Sequence, residues 1–173
     1  MQRYTKTAIS LHWLIALLIV AAFGLGLVMT DIPGITPTKL KYYSWHKWLG
    51  VTVFALACAR LLWRRLNAPP PPATMPAWQV KAADAVHVLL YILLFAVPLS
   101  GYFYSLAAGV PVVYLGVLPL PVLIGPDPEL KPILKTVHYV LTMTLAAGVL
   151  AHAGAALKHH FIDRDDVLKR MLP

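Results

Sequence analysis

His138 and His152 lie fourteen residues apart in the last apolar stretch of a 173-residue chain, between Lys135 and Lys158. On an α-helix at about 100° per residue, the second returns to within about 40° of the first, roughly 21 Å further along the axis. The hydrocarbon core of a bilayer is about 30 Å thick. One membrane helix would thus carry two imidazoles on one face, one near each surface. Imidazole among lipid chains is costly without a partner, so a histidine inside a span points to function. The spacing is that of two cofactors stacked in one bundle.

The other histidines sort by depth. His46 joins His138 at the outer level, and His12 and His87 join His152 at the inner level, with His159 and His160 just beyond. Haem iron held by two imidazoles takes one from each of two facing helices at one depth. The outer level offers one pair, His46 and His138; the inner level offers three candidates for two positions, and spacing does not choose among them. Zinc wants four ligands, and the outer level has two histidines and no cysteine. A proton relay favours carboxylates within the spans, and none lies mid-membrane. Isolated interhelical hydrogen bonding accounts for one such histidine more readily than for five at two matched depths.

The elements that position these residues are membrane helices. The chain is 59% hydrophobic and 13% charged, with mean hydropathy +0.69, more apolar surface than a soluble domain keeps dry. Charge-free runs at Thr7–Thr30, Ala85–Pro126 and Thr136–Leu157 read directly as spans. A shorter one, Trp48–Ala59, spans if Lys47 and Arg60 snorkel outward. The expectation is an all-α, up-down four-helix membrane bundle in one domain, with helices about 8–29, 44–65, 82–104 and 133–158 and a short amphipathic cytoplasmic tail, 159–173. The proline-rich stretch Ala107–Pro132 reads as an apolar external loop, and Asn67–Trp78, with Pro69 to Pro72, as a stiff linker.

Ten of the fifteen Lys and Arg lie in the N-terminal segment, the second connection and the tail, at Arg3, Lys6, Arg60, Arg64, Arg65, Lys81, Lys158, Arg164, Lys169 and Arg170. The positive-inside rule then places both termini in the cytoplasm. The net charge of +8 reflects topology, so no nucleic-acid partner is expected. The first span is longer than a signal h-region and holds His12, which argues that it is retained. Cys58, the only cysteine, rules out an internal disulfide or covalent haem attachment through C-x-x-C-H, and reads as a small buried hydrophobe. Small residues abound in the fourth helix from Ala146 to Ala156 and at Gly24, Gly26 and Gly50; porphyrin faces and close helix packing both use such space.

The chain resembles the bacterial cytochrome b561 family of four-helix, di-haem, quinone-linked cytochromes. More distantly it is similar to the cytochrome b subunits of hydrogenases and formate dehydrogenases. The resemblance rests on SLHWL around His12, WHKWLG around His46, RLLWR from Arg60 to Arg64 and HVLLYILLFAVPLSGY from His87. HYV at His138, AHAGAALKHHF from Ala151 and the terminal DRDDVLKRM complete it, in order over essentially the whole chain. It implies two haem b groups in a bacterial inner membrane: an outer one on His46 and His138, and an inner one on His12 and His152. His87 is then left as a residue of the quinone site or behind the ligands.

The resemblance also implies a ubiquinone substrate at the inner end, where Ser10 lies two residues before His12 and His159 seven past His152; His87 is the further quinone candidate. Lys47 and Lys135 flank the outer histidines, and with Lys39, Lys41 and Lys131 they outnumber the nearby carboxylates. Such a mouth would steer a small anion, and members of the family oxidise superoxide there and reduce ubiquinone inside. Arg60 and Arg64 are placed to pair inner-haem propionates or to enforce topology. The alternative role is a membrane-anchor cytochrome subunit of a larger dehydrogenase or hydrogenase, with another electron donor in place of superoxide.

Overall fold

The computed structural model describes residues 3–71 and 75–173, so the polyproline linker falls partly outside the described residues, at 72–74. Four long helices follow one another: α1 (Lys6–Asp31), α2 (Pro37–Leu66), α3 (Ala77–Ala107) and α4 (Leu130–Lys158). A two-stranded hairpin, β1 (Val113–Tyr114) and β2 (Leu118–Pro119), lies between α3 and α4, and a π-helical turn (His159–Asp163) follows α4. At about 1.5 Å per residue each long helix exceeds the thickness of a hydrocarbon core. Three of the four, α1, α3 and the α4 segment, are also apolar enough to cross a bilayer. The exception, α2, carries lysines near its start and Arg60, Arg64 and Arg65 near its end, with residues 48–59 uncharged between.

α1 and α2 start where side chains supply the missing acceptors. Thr5 Oγ1 accepts from the Ala8 amide at 3.3 Å, and Thr36 Oγ1 from the Lys39 amide at 3.1 Å, with Pro37 next in line. That cap starts α2 at Pro37 rather than at about 44, so much of the expected outer connection is helix. The other helices also exceed their expected bounds, α3 by beginning at Ala77 and ending at Ala107. It stops in a Schellman pattern: Gly109, at φ +75°, donates to Leu106 O at 2.8 Å and Val110 to Ser105 O at 3.0 Å.

The 107–132 segment is more ordered than a loop. Leu115 and Gly116, at φ +53° and +76°, are the central residues of a turn closed by Val117 N donating to Tyr114 O at 3.1 Å, the left-handed type that suits a tight hairpin. Trp48 Nε1 donates to Val113 O at 2.8 Å, and Thr52 Oγ1 lies 3.0 Å from the Tyr114 hydroxyl, so α2 holds the hairpin across that end of the bundle.

Packing pairs α1 with α2, α2 with α3 and α3 with α4. Among the described residues, α4 has no comparably close backbone seam with α1 or α2. Ile15, Val53, Ala57 and Leu94 form a buried cluster between α1, α2 and α3, supported by Leu56, Tyr91 and Phe95. Apolar residues such as Leu17, Val20, Ile92, Val140 and Leu150 remain exposed around the outside, as on a surface solvated by lipid. Cys58 is also exposed, correcting its reading as buried: its phase on α2 turns it away from Ala57, which is wholly covered.

The chain ends do not simply trail off as an amphipathic tail. Tyr4 N donates to Arg170 O at 3.3 Å and Trp13 Nε1 to Met171 O at 2.7 Å. Arg3 donates to Leu172 O, and Arg170 Nη1 to Pro71 O at 2.8 Å. The tail thus folds back over the start of α1 and the α2–α3 connection.

Candidate functional site

At the hairpin end, α2 and α4 present His46 and His138 to each other, ring centres 6.2 Å apart and planes at 88°. His46 Nδ1 lies 2.9 Å from the carbonyl of Ala22 on α1. A carbonyl oxygen only accepts, so Nδ1 carries the proton and Nε2 keeps its lone pair. His138 Nδ1 lies 3.1 Å from Val97 O and 3.0 Å from Ser100 Oγ, both on α3. Ser100 itself donates to Val97 O at 2.8 Å, so Nδ1–H is again the donor and Nε2 is free. Each ring is thus held by one nitrogen and available through the other, the arrangement that orients a metal-ligating histidine.

Two glycines make room for these rings. A Cβ on Gly101 would stand 2.9 Å from His138 Cε1, and one on Gly26 would stand 3.3 Å from His46 Cε1. Gly26 stands among the small residues noted in the sequence, but Gly101 was missed, although the PLSG of Pro98 to Gly101 is a visible signal: a helix-breaking proline, then a hydroxyl and a gap within one turn.

At the end that carries both termini, three imidazoles meet. His12 and His152 have ring centres 6.1 Å apart with planes at 74°; His87 and His152 are 5.4 Å apart at 64°. With a metal–nitrogen bond of about 2 Å and a ring nitrogen about 1.1 Å from its ring centre, two imidazoles on opposite sides of one metal have centres about 6.2 Å apart. His46 with His138 fits that separation, and so does His12 with His152; His87 with His152 is short of it. Both fitting pairs reach across to α4 where backbone packing is open, which is where a flat macrocycle between facing helices needs space.

The remaining expected residues stand as follows. Arg60 Nη1 donates to Ala8 O at 2.8 Å, and the Arg64 guanidinium lies 5.8 Å from the centre of the Tyr91 ring. The Tyr91 hydroxyl, one turn past His87, is buried without a protein partner, an orphaned donor suited to an acceptor on a bound group. Lys47 is half-buried and donates to Ser105 Oγ at 3.2 Å, whereas Lys135 is exposed. Ser10 is exposed and, two residues from His12, lies about 200° round the helix from it. His159 belongs to the π-turn rather than to a continuation of the α4 face, and its Nδ1 is 2.6 Å from Asp165 Oδ2 and 3.2 Å from Asp163 Oδ2.

A family model described as prokaryotic cytochrome b561 matches residues 3–173. The chain is similar to two Escherichia coli proteins. It is 34% identical to cytochrome b561 homolog 2, over 99% of this chain and 92% of that one. It is 35% identical to cytochrome b561 homolog 1, over 100% and 98%. A Yersinia pestis protein named probable superoxide oxidase CybB is 27% identical, over 99% of this chain and 97% of that one.

Proposed function

Because the chain belongs to the prokaryotic cytochrome b561 family, and is thus a bacterial membrane electron-transfer protein, we propose that it binds two haem b groups and links a periplasmic donor to ubiquinone. The observation that carries this reading is the pair of imidazole separations, 6.2 Å for His46 with His138 and 6.1 Å for His12 with His152. Both termini then face the cytoplasm, and the hairpin end faces the periplasm across the inner membrane.

Haem, when bound, supplies reversible one-electron transfer. The protein's part is to hold and tune it. His46 and His138 offer Nε2 because Ala22, Val97 and Ser100 hold their Nδ1–H groups. His12 and His152 would hold the second group at the cytoplasmic level, where the His87 ring lies 5.4 Å from that of His152. Arg60, Arg64 and the Tyr91 hydroxyl are the groups that would meet propionates there. The buried cluster around Val53 and Leu94 keeps water from the region between the two levels.

Superoxide is the sharpest choice of donor, supported by the name of the Yersinia relative and by the cationic side chains at the hairpin end. Lys47 and Lys135 raise the local concentration of an anion there without bonding it in place. The overall reaction is two superoxide ions plus ubiquinone plus two protons giving two dioxygen molecules and ubiquinol. Of the quinone candidates, His159 and His87 would meet the headgroup at the cytoplasmic end, whereas Ser10 is exposed on a face of α1 turned away from His12. The test is the purified full chain: two haem b per polypeptide, reduced by superoxide without any partner subunit and reoxidised by ubiquinone. A chain that superoxide reduces only when a dehydrogenase partner is added is an anchor subunit instead.

A further inference from the structure

Resting on the quinone reading above, we propose that Asp165 is the positioning residue of a proton-donating pair: it holds His159 by Nδ1 so that Nε2–H delivers protons to the quinone oxygens. The backbone is shaped for this contact. After Lys158 the helix widens into a π-turn over His159–Asp163, a rare form that is frequent at functional sites. Arg164 then takes a left-handed conformation, φ +56°, unfavourable for a residue with a side chain. That reversal lets Asp165 N donate to His159 O at 3.1 Å and returns its carboxylate to the ring.

Both oxygens of Asp165 are engaged. Oδ1 accepts from Val167 N at 2.9 Å, and Oδ2 lies 2.6 Å from His159 Nδ1. The carboxylate is therefore clamped before it meets the imidazole, as in a base fixed by a third group. Asp163 lies 3.2 Å from the same nitrogen but is paired with Lys158, at 2.6 Å. One carboxylate is left facing the ring without a lysine or arginine partner among the described residues. The ring's side chain is only 14% exposed, and His159 lies seven positions after His152.

The chemistry needs such a group. Reduction of ubiquinone forms two O–H bonds with two electrons, here those that two superoxide ions lose on becoming dioxygen. Each proton leaves Nε2 in turn, and the neutral ring regains one from cytoplasmic water while Asp165 keeps its Nδ1–H oriented. A divalent cation held by His159, Asp163 and Asp165, whose ligand atoms lie within 4.8 Å of one another, is the rival use of the same residues; it would have to displace Lys158.

The experiment mixes purified, haem-loaded full-length protein, reduced with dithionite and desalted, with a short-chain ubiquinone and follows haem reoxidation. Asp165→Asn is expected to slow the saturated rate by about tenfold or more while the quinone concentration for half-saturation stays within about twofold. Asp165→Glu should recover part of the loss, and Asp166→Asn should match wild type. His159→Gln should slow the same step, and the double variant should be no slower than His159→Gln alone. If Asp165→Asn loses haem, His159→Gln with and without Asp165→Glu carries the comparison. A wild-type rate in Asp165→Asn, additive losses in the double variant, or loss of wild-type rate with a chelator overturns the pair. Reduced wild-type protein that ubiquinone fails to reoxidise overturns the quinone reading itself, and the pair with it.

Discussion

At Gly101 the place of a Cβ is already taken by the His138 ring, 2.9 Å away. Gly101→Ala must therefore push the imidazole off its Val97 and Ser100 partners, and we expect it to lower occupancy of the hairpin-end haem or change its low-spin electron paramagnetic resonance signal. Gly24→Ala, where nothing lies within 4 Å, should leave both signals intact. Ser100→Ala removes one of two acceptors from His138 Nδ1 and should weaken haem retention by roughly tenfold, measured by transfer of haem to apomyoglobin. The depth of each histidine was legible in the sequence because helical rise is fixed, so His46 falls level with His138 and His12 with His152. The partners Ala22, Val97 and Ser100 were not legible. Their roles depend on how each helix is rotated against the next, and two of them act through backbone carbonyls that no residue type advertises.

Among the elements, the hairpin and α2 differ most from what the sequence led us to expect. Thr36 and Pro37 form a start signal that also reads as a loop breaker, and only the helix that follows decides between the two. The hairpin is built from Val113, Tyr114, Leu118 and Pro119, apolar residues whose alternation is too short to register as strands. Its hold on α2 is specific: Trp48→Phe removes the donor to Val113 O and should cost about 1 kcal/mol locally. Hydrogen exchange should then quicken at the Val117 and Leu120 amides, which donate within the hairpin, and not in α1. Unchanged exchange there would mean that the hairpin stands without α2. At the opposite end, the tail's return over α1 was hidden because it runs through backbone acceptors on Arg170, Met171 and Leu172.

For the molecule as a whole, charge and the paired levels give opposite ends different work. Neutralising Lys47 and Lys135 together should slow superoxide-driven haem reduction several-fold at low ionic strength and much less at high salt; an unchanged rate at low salt would remove steering from the account. A reporter fused after Pro173 should be active only in its cytoplasmic form. The central claim is that four histidines on three helices hold two haems, and haem counting across single-alanine variants tests it most directly. Wild type should carry two haem b per chain, the His12→Ala, His46→Ala, His138→Ala and His152→Ala variants no more than one each, and His87→Ala two. A His87→Ala variant that loses a haem while His12→Ala keeps both would contradict the assignment at the end that carries the termini.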